Sequence, residues 1–133
     1  MVEQARAVLS SDRKSLASID FHTLGLDLAG SLNATGGVGA VLATSRTQTT
    51  GYYTRTYLYD GNGNVIALCK PNTATITAHY TYSPFGKLIE SDGIDKATAD
   101  FTFSTKYADI TGLSYYGYRF YSPELGRWLK RDL

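Results

Sequence analysis

The sequence predicts an all-β chain, and three observations carry that expectation. All 11 tyrosines lie between Tyr52 and Tyr121, among Thr, Val and Ile residues that suit half-buried pleated surfaces. The 13 glycines supply the turns that such a chain needs. One frame also occurs twice: YLYDGNGNV at 57–65 and YTYSPFGKL at 80–88 align without gaps at an offset of 23 residues. An internal repeat sets the architecture before any single residue does.

The chain divides into four stretches. Residues 1–23 hold Ala, Glu, Gln and Arg, with Val2, Ala5, Val8 and Leu9 near helical spacing. This predicts a short helical or poorly ordered N-terminal arm. Residues 24–51 are rich in Gly and Ala and predict a strand-turn segment. Asp27-Leu-Ala-Gly30 looks like a turn. GGVG at 36–39 lacks a following Lys-Ser/Thr, so it reads as a glycine-lined turn and not as a phosphate loop.

Residues 52–91 carry the repeat, written Y-x-Y-[D/S]-x-x-G-x-[V/L]. Tyr57 and Tyr59, like Tyr80 and Tyr82, are two apart and share one face of a strand. Asp60 or Ser83 opens a turn by bonding its side chain to the backbone ahead. Gly63 or Gly86 closes it with a positive φ. Each unit is then a β-hairpin with a four-residue turn, and one hairpin cannot bury its own apolar face. The units call for neighbours on either side. Residues 92–133 are denser in aromatics and end RFYSPELGRWLKRDL.

The frame at 57–65 and 80–88 resembles the YD repeat of the Rhs/YD-repeat family. The stretch FTFSTKYADITGLSYYGYRFYSPELGRWLKRD, residues 101–132, resembles that family's repeat-associated core, with Tyr107, Gly112, Tyr115, Tyr116, Tyr121, Pro123, Gly126, Arg127 and Trp128 at motif positions. The resemblance implies a curved sheet of β-hairpins, part of a spiral β-shell that encloses a toxic cargo, with the core closing one end. It implies as partners the remaining shell or the cargo of full-length relatives. It also implies synthesis in the bacterial cytoplasm, with secretion or surface delivery of those relatives.

In the family the core resembles an aspartic protease that cuts its own chain, using an arginine and an aspartate thirteen residues later. Arg119 and Asp132 match that pair. A Pro-x-Gly-Leu run follows the family's aspartate, whereas Leu133 alone follows Asp132. The resemblance therefore implies a truncated core with nothing to cut. The expected function is a structural shell fragment of a polymorphic toxin without independent catalysis. Two alternatives are a residual self-protease on Arg119 and Asp132, and a Tyr-lined carbohydrate or cell-surface binding module.

Other chemistry finds little support. A net charge of +1 gives no field for nucleic acid. No signal peptide or membrane span is evident, which leaves localisation open. Cys69 alone forms no internal disulfide and reads as a small buried hydrophobe. His22 and His79 are 57 residues apart with no ligand at metal spacing, so no metal or cofactor is expected. Arg119 and Arg127 also have a plain structural reading, in which they pair with acids or stack on aromatic rings.

Overall fold

The computed structural model describes the backbone of residues 2–9, 16–48, 51–109 and 111–129. Seven antiparallel strands form one sheet in sequential order: β1 (Val2–Leu9), β2 (Leu16–Leu24), β3 (Val41–Gln48), β4 (Gly51–Tyr59), β5 (Val65–Cys69), β6 (Ile76–Tyr82) and β7 (Leu88–Asp92). Four shorter strands, β8 (Tyr107–Ala108), β9 (Ser114–Tyr115), β10 (Phe120–Ser122) and β11 (Arg127–Trp128), form a second antiparallel sheet. Helical structure among the described residues is a single 3-10 turn at Phe103–Thr105.

The all-β expectation holds, but its helical N-terminal arm does not. Residues 2–9 and 16–24 are strands, paired from Val2 opposite Leu24 to Leu9 opposite Leu16. The β-structure thus starts fifty residues before the tyrosine-rich part. Helix propensity differs by less than about 1 kcal/mol per residue among Ala, Glu, Gln, Arg and Val. A ladder of backbone bonds to a neighbouring strand overrides a preference that small. β2 is in turn paired to β3, so this pair extends the main sheet.

The two repeats form the hairpins their frame requires. In the first, the Asp60 N–H donates to Asn64 O (3.0 Å) and the Gly63 N–H to Asp60 O (3.1 Å). The Asp60 carboxylate accepts the N–H groups of Asn62 and Asn64, each at 2.9 Å. In the second, Ser83 and Gly86 make the same backbone bonds, at 2.8 and 2.9 Å, and the Ser83 hydroxyl accepts from Lys87 N–H (3.1 Å). Gly63 and Gly86 have φ of 76° and 87°. A β-bulge precedes each turn at the second tyrosine, Leu58/Tyr59 and Thr81/Tyr82, so the pleat is interrupted at equivalent places.

Two more turns follow this pattern without the tyrosine frame. Asp27 and Gly30 bond like Asp60 and Gly63, and the Asp27 carboxylate accepts from Ala29 and Ser31 N–H. Asp109 and Gly112 do the same, with Thr111 and Leu113 N–H on the carboxylate. The Thr35 N–H, against the opposing pull of burial and helped by Ser31 and Ala29, brings the Asp27 carboxyl down to about 2. The short signal that unites all four is [D/S]-x-x-G.

The buried core is Val41, Tyr57, Val65, Leu68, Ala78 and Tyr80, with Leu24, Tyr59, Tyr82, Ala99 and Phe101 packed against it. Four frame tyrosines face this core and spend their hydroxyls on specific acceptors or donors. Tyr59 OH donates to Val41 O (2.6 Å), and Tyr82 OH donates to Val65 O (2.8 Å). Each therefore ties its strand to the first residue of a strand formed earlier in the chain. Burial raises the pKa of all four, that of Tyr57 to about 12, so they remain neutral donors at physiological pH. Cys69 is buried, as expected.

Candidate functional site

The covered face of the main sheet is polar at one end. Register alone assembles it: Asp20 lies opposite Arg46 and Arg46 opposite Tyr53, while His22 lies opposite Thr44 and Thr44 opposite Arg55. The Arg46 guanidinium grips the fully buried Asp20 in a two-pronged contact, Nε to Oδ1 at 2.6 Å and Nη2 to Oδ2 at 2.8 Å. That hydrogen bond holds the Arg46 pKa above its ordinary value despite burial. His22 Nδ1 is 2.9 Å from Thr44 Oγ1, whose hydroxyl donates to Tyr57 OH at 3.1 Å.

The chain after β7 lies over this face and brings two carboxylates to it. Asp95 reaches Arg55 Nε and Tyr53 OH, and the Arg55 guanidinium stacks on the Tyr53 ring at 3.6 Å. Asp100 lies 3.9 Å from Arg46 Nη2 and 4.0 Å from His22 Nε2. Phe101 then meets His22 (centroids 4.9 Å apart) and Tyr57 (6.3 Å) in T-shaped contacts. Two arginines on adjacent strands therefore hold one covering segment through two acids. The arrangement supplies attachment, with each charge offset by a partner.

Further along, the cover is stitched to the repeat turns. Val65 N–H donates to Thr102 O, and Ser104 N–H to the Asn64 side chain (2.8 Å). The Thr105 hydroxyl donates to Gly63 O and accepts from Gly39 N–H, both at 2.7 Å. Thr105 thus links the first repeat turn to the glycine-lined loop of residues 36–39. Replacing it by valine keeps its shape and strands two backbone groups. We expect Thr105→Val to lower unfolding free energy by about 2 kcal/mol in urea denaturation.

Most residues of the predicted core motif gather in the small sheet. Tyr121 pairs with Trp128 and donates its hydroxyl to Phe85 O (2.9 Å), which docks this sheet onto the second repeat turn. Tyr116 meets Trp128 edge to face at 4.8 Å and Tyr121 at 6.3 Å. Tyr107 pairs with Tyr115, and Tyr107 packs against Phe101. Pro123 and Gly126 sit in the β10–β11 turn, where Leu125 N–H donates to the Ser122 hydroxyl. Arg127 is exposed.

Of the proposed cleavage pair, Asp132 lies outside the described residues. Arg119 places its guanidinium over the Trp128 ring, 4.0 Å from the centroid. Tyr118 is fully exposed. It follows Gly117 in the Tyr116–Arg119 turn, which points the side chain away from both sheets. Sequence reasoning missed Asp20, Arg46, Arg55, Asp95 and Asp100 as a group. Their local contexts hold no signal, because the partners are 26 and 40 residues apart.

No family model matches the chain. Two curated relatives do: the toxin subunits YenC2 and YenC1 of Yersinia entomophaga, 36% identical over 73 residues and 34% identical over 82 residues. These matches cover 55% and 57% of this chain but only 7% and 8% of the relatives. The crystal structure of TcdB2-TccC3 superposes on the chain with a TM-score of 0.73 at 20% identity, covering 96% of this chain and 6% of that one. A Photorhabdus luminescens Tc holotoxin pore structure gives 0.73 over 98% of this chain and 6% of that one, also at 20% identity. Likeness at that identity establishes fold. By sequence over just over half its length the chain is similar to these toxin subunits, in keeping with the Rhs/YD-repeat resemblance, and over nearly all of it the chain shares the fold of TcdB2-TccC3.

Proposed function

We propose that the chain serves as wall and cover of a β-shell of the Rhs kind, holding toxic cargo and doing no chemistry itself. The observation that supports this most directly is the plated sheet. Seven sequential strands present one face, and the chain after β7 is fixed across that face by two arginine-carboxylate contacts and the Thr105 link. A wall needs continuous strands and a lining that does not peel away, and this geometry supplies both. The stacking of Arg119 on Trp128 fits a role in fastening the last hairpin.

The test is a chimera of a full-length Rhs/YD-repeat protein in which this chain replaces the aligned segment. We expect particles of parental size on size-exclusion chromatography whose cargo resists added protease. Particles of normal size whose cargo is digested as fast as free cargo would overturn the reading. So would hydrolytic activity of the isolated chain that Arg119→Met abolishes.

A further inference from the structure

A cavity of about 430 Å³ opens between the glycine-lined loop and the start of the small sheet. Its volume falls within the range of small-molecule sites, roughly 300–1,000 Å³. Its floor is continuous with the core: Val41 is core, and Leu24 and Phe101 pack against it. Tyr107 and Tyr115 form one wall. The surface is thus mainly aliphatic and aromatic.

One cation sits on this apolar wall. Lys106 is half-buried, and its ammonium donates to Gly36 O (2.6 Å) and lies 5.2 Å from the Tyr116 ring centroid. Both contacts are with neutral groups. Among the described residues, no carboxylate lies within ion-pair distance of it. This sets it apart from Arg46, Arg55 and Lys87, each of which has an acid. Burial holds the Lys106 pKa below its ordinary value, as expected of an ammonium short of water and of counter-charge. An ammonium has three donors, and Gly36 takes one.

We propose that this cavity binds an amphiphilic monocarboxylate, with its apolar part on Val41 and Phe101 and its carboxylate on the Lys106 ammonium. Such a ligand supplies the two things the site lacks, apolar filling and a negative charge. A neutral apolar molecule would supply only the first, and a small hydrophilic anion only the second. Recognition by one charged group within an apolar bowl is the usual economy of small-molecule sites.

The test uses decanoate, below its micelle concentration, and the isosteric neutral decanamide, titrated into the full chain and followed by backbone amide shifts. We expect decanoate to shift Gly36, Phe101, Lys106 and Tyr107 and to bind about tenfold tighter than decanamide, a difference of one charge-assisted contact. Lys106→Gln keeps an N–H for Gly36 O and should bring decanoate down to the decanamide level. Lys106→Arg keeps the charge and should keep the preference. Equal binding of the two probes by the unaltered chain, or shifts scattered away from the cavity, would overturn the proposal without any variant. Unchanged decanoate affinity in a folded Lys106→Gln would do the same.

Discussion

Arg55→Met should lower the unfolding free energy at neutral pH by roughly 3–5 kcal/mol, the cost of leaving one member of a buried ion pair behind. The abandoned group is Asp95, which is only 5% exposed and would keep Tyr53 and Thr77 but no cation. The double variant Arg55→Met with Asp95→Asn removes the charge as well and should recover a large part of the loss. The cycle then reports the coupling of the pair rather than the cost of an orphan. Urea denaturation of the four proteins at one salt concentration provides the measurement. If the single and double variants are equally unstable, Arg55 matters for its packing on Tyr53 and not for its charge.

The same pair sets a pH dependence whose sign reverses between the two proteins. In the unaltered chain burial opposes the Asp95 charge, but hydrogen bonds from Arg55, Thr77 and Tyr53 outweigh it and hold the carboxyl below its ordinary value of 3.8. A depressed folded pKa means stability that is present above about pH 4 and lost as pH falls through the folded value. In Arg55→Met burial is no longer outweighed, and the carboxyl rises above its ordinary value. The variant's deficit should therefore shrink between pH 7 and pH 4, while the unaltered chain holds steady over that window and weakens below it.

How much of this was legible depended on how far apart the cooperating residues lie. The turns are local: Asp60 bonds to groups two and four residues ahead, and Gly63 closes the loop three residues on. A nine-residue frame therefore contained the whole cause. The β1–β2 pair was misread for the complementary reason, since its cause is a partner strand and not its own composition. The covering segment lies at the far extreme. Asp95 and Asp100 show nothing in sequence beyond being acids. Their role exists only because register places Arg46 and Arg55 diagonally across β3 and β4, and because the chain turns back over the sheet after β7. The cavity at Lys106 joins residues 24 to 41 with residues 101 to 115, and no local pattern announces it.

That turning back rests on one backbone position, so Gly93→Ala should be as damaging as loss of the ion pair. Gly93 has φ of +103°, a region costly to any L side chain. A Cβ there would lie 2.3 Å from Thr77 O and 2.8 Å from Ala78 Cα. Both are backbone atoms of β6, which cannot move without disturbing its ladder to β5. The close approach has a purpose: it lets the Asp95 N–H reach Thr77 O at 3.0 Å, which sets Asp95 down beside Arg55. We expect a loss on the order of 4 kcal/mol, from dihedral strain plus overlap. Gly51→Ala is the control, because its φ of +123° is comparable but none of the described residues lies within 4 Å of the added methyl. It should cost only the strain, about 1–2 kcal/mol. The difference between the two measures the contact that carries the chain from the sheet edge onto its face. If Gly93→Ala costs no more than Gly51→Ala, β6 yields at Thr77, and the crossing is held by the other contacts of the covering segment.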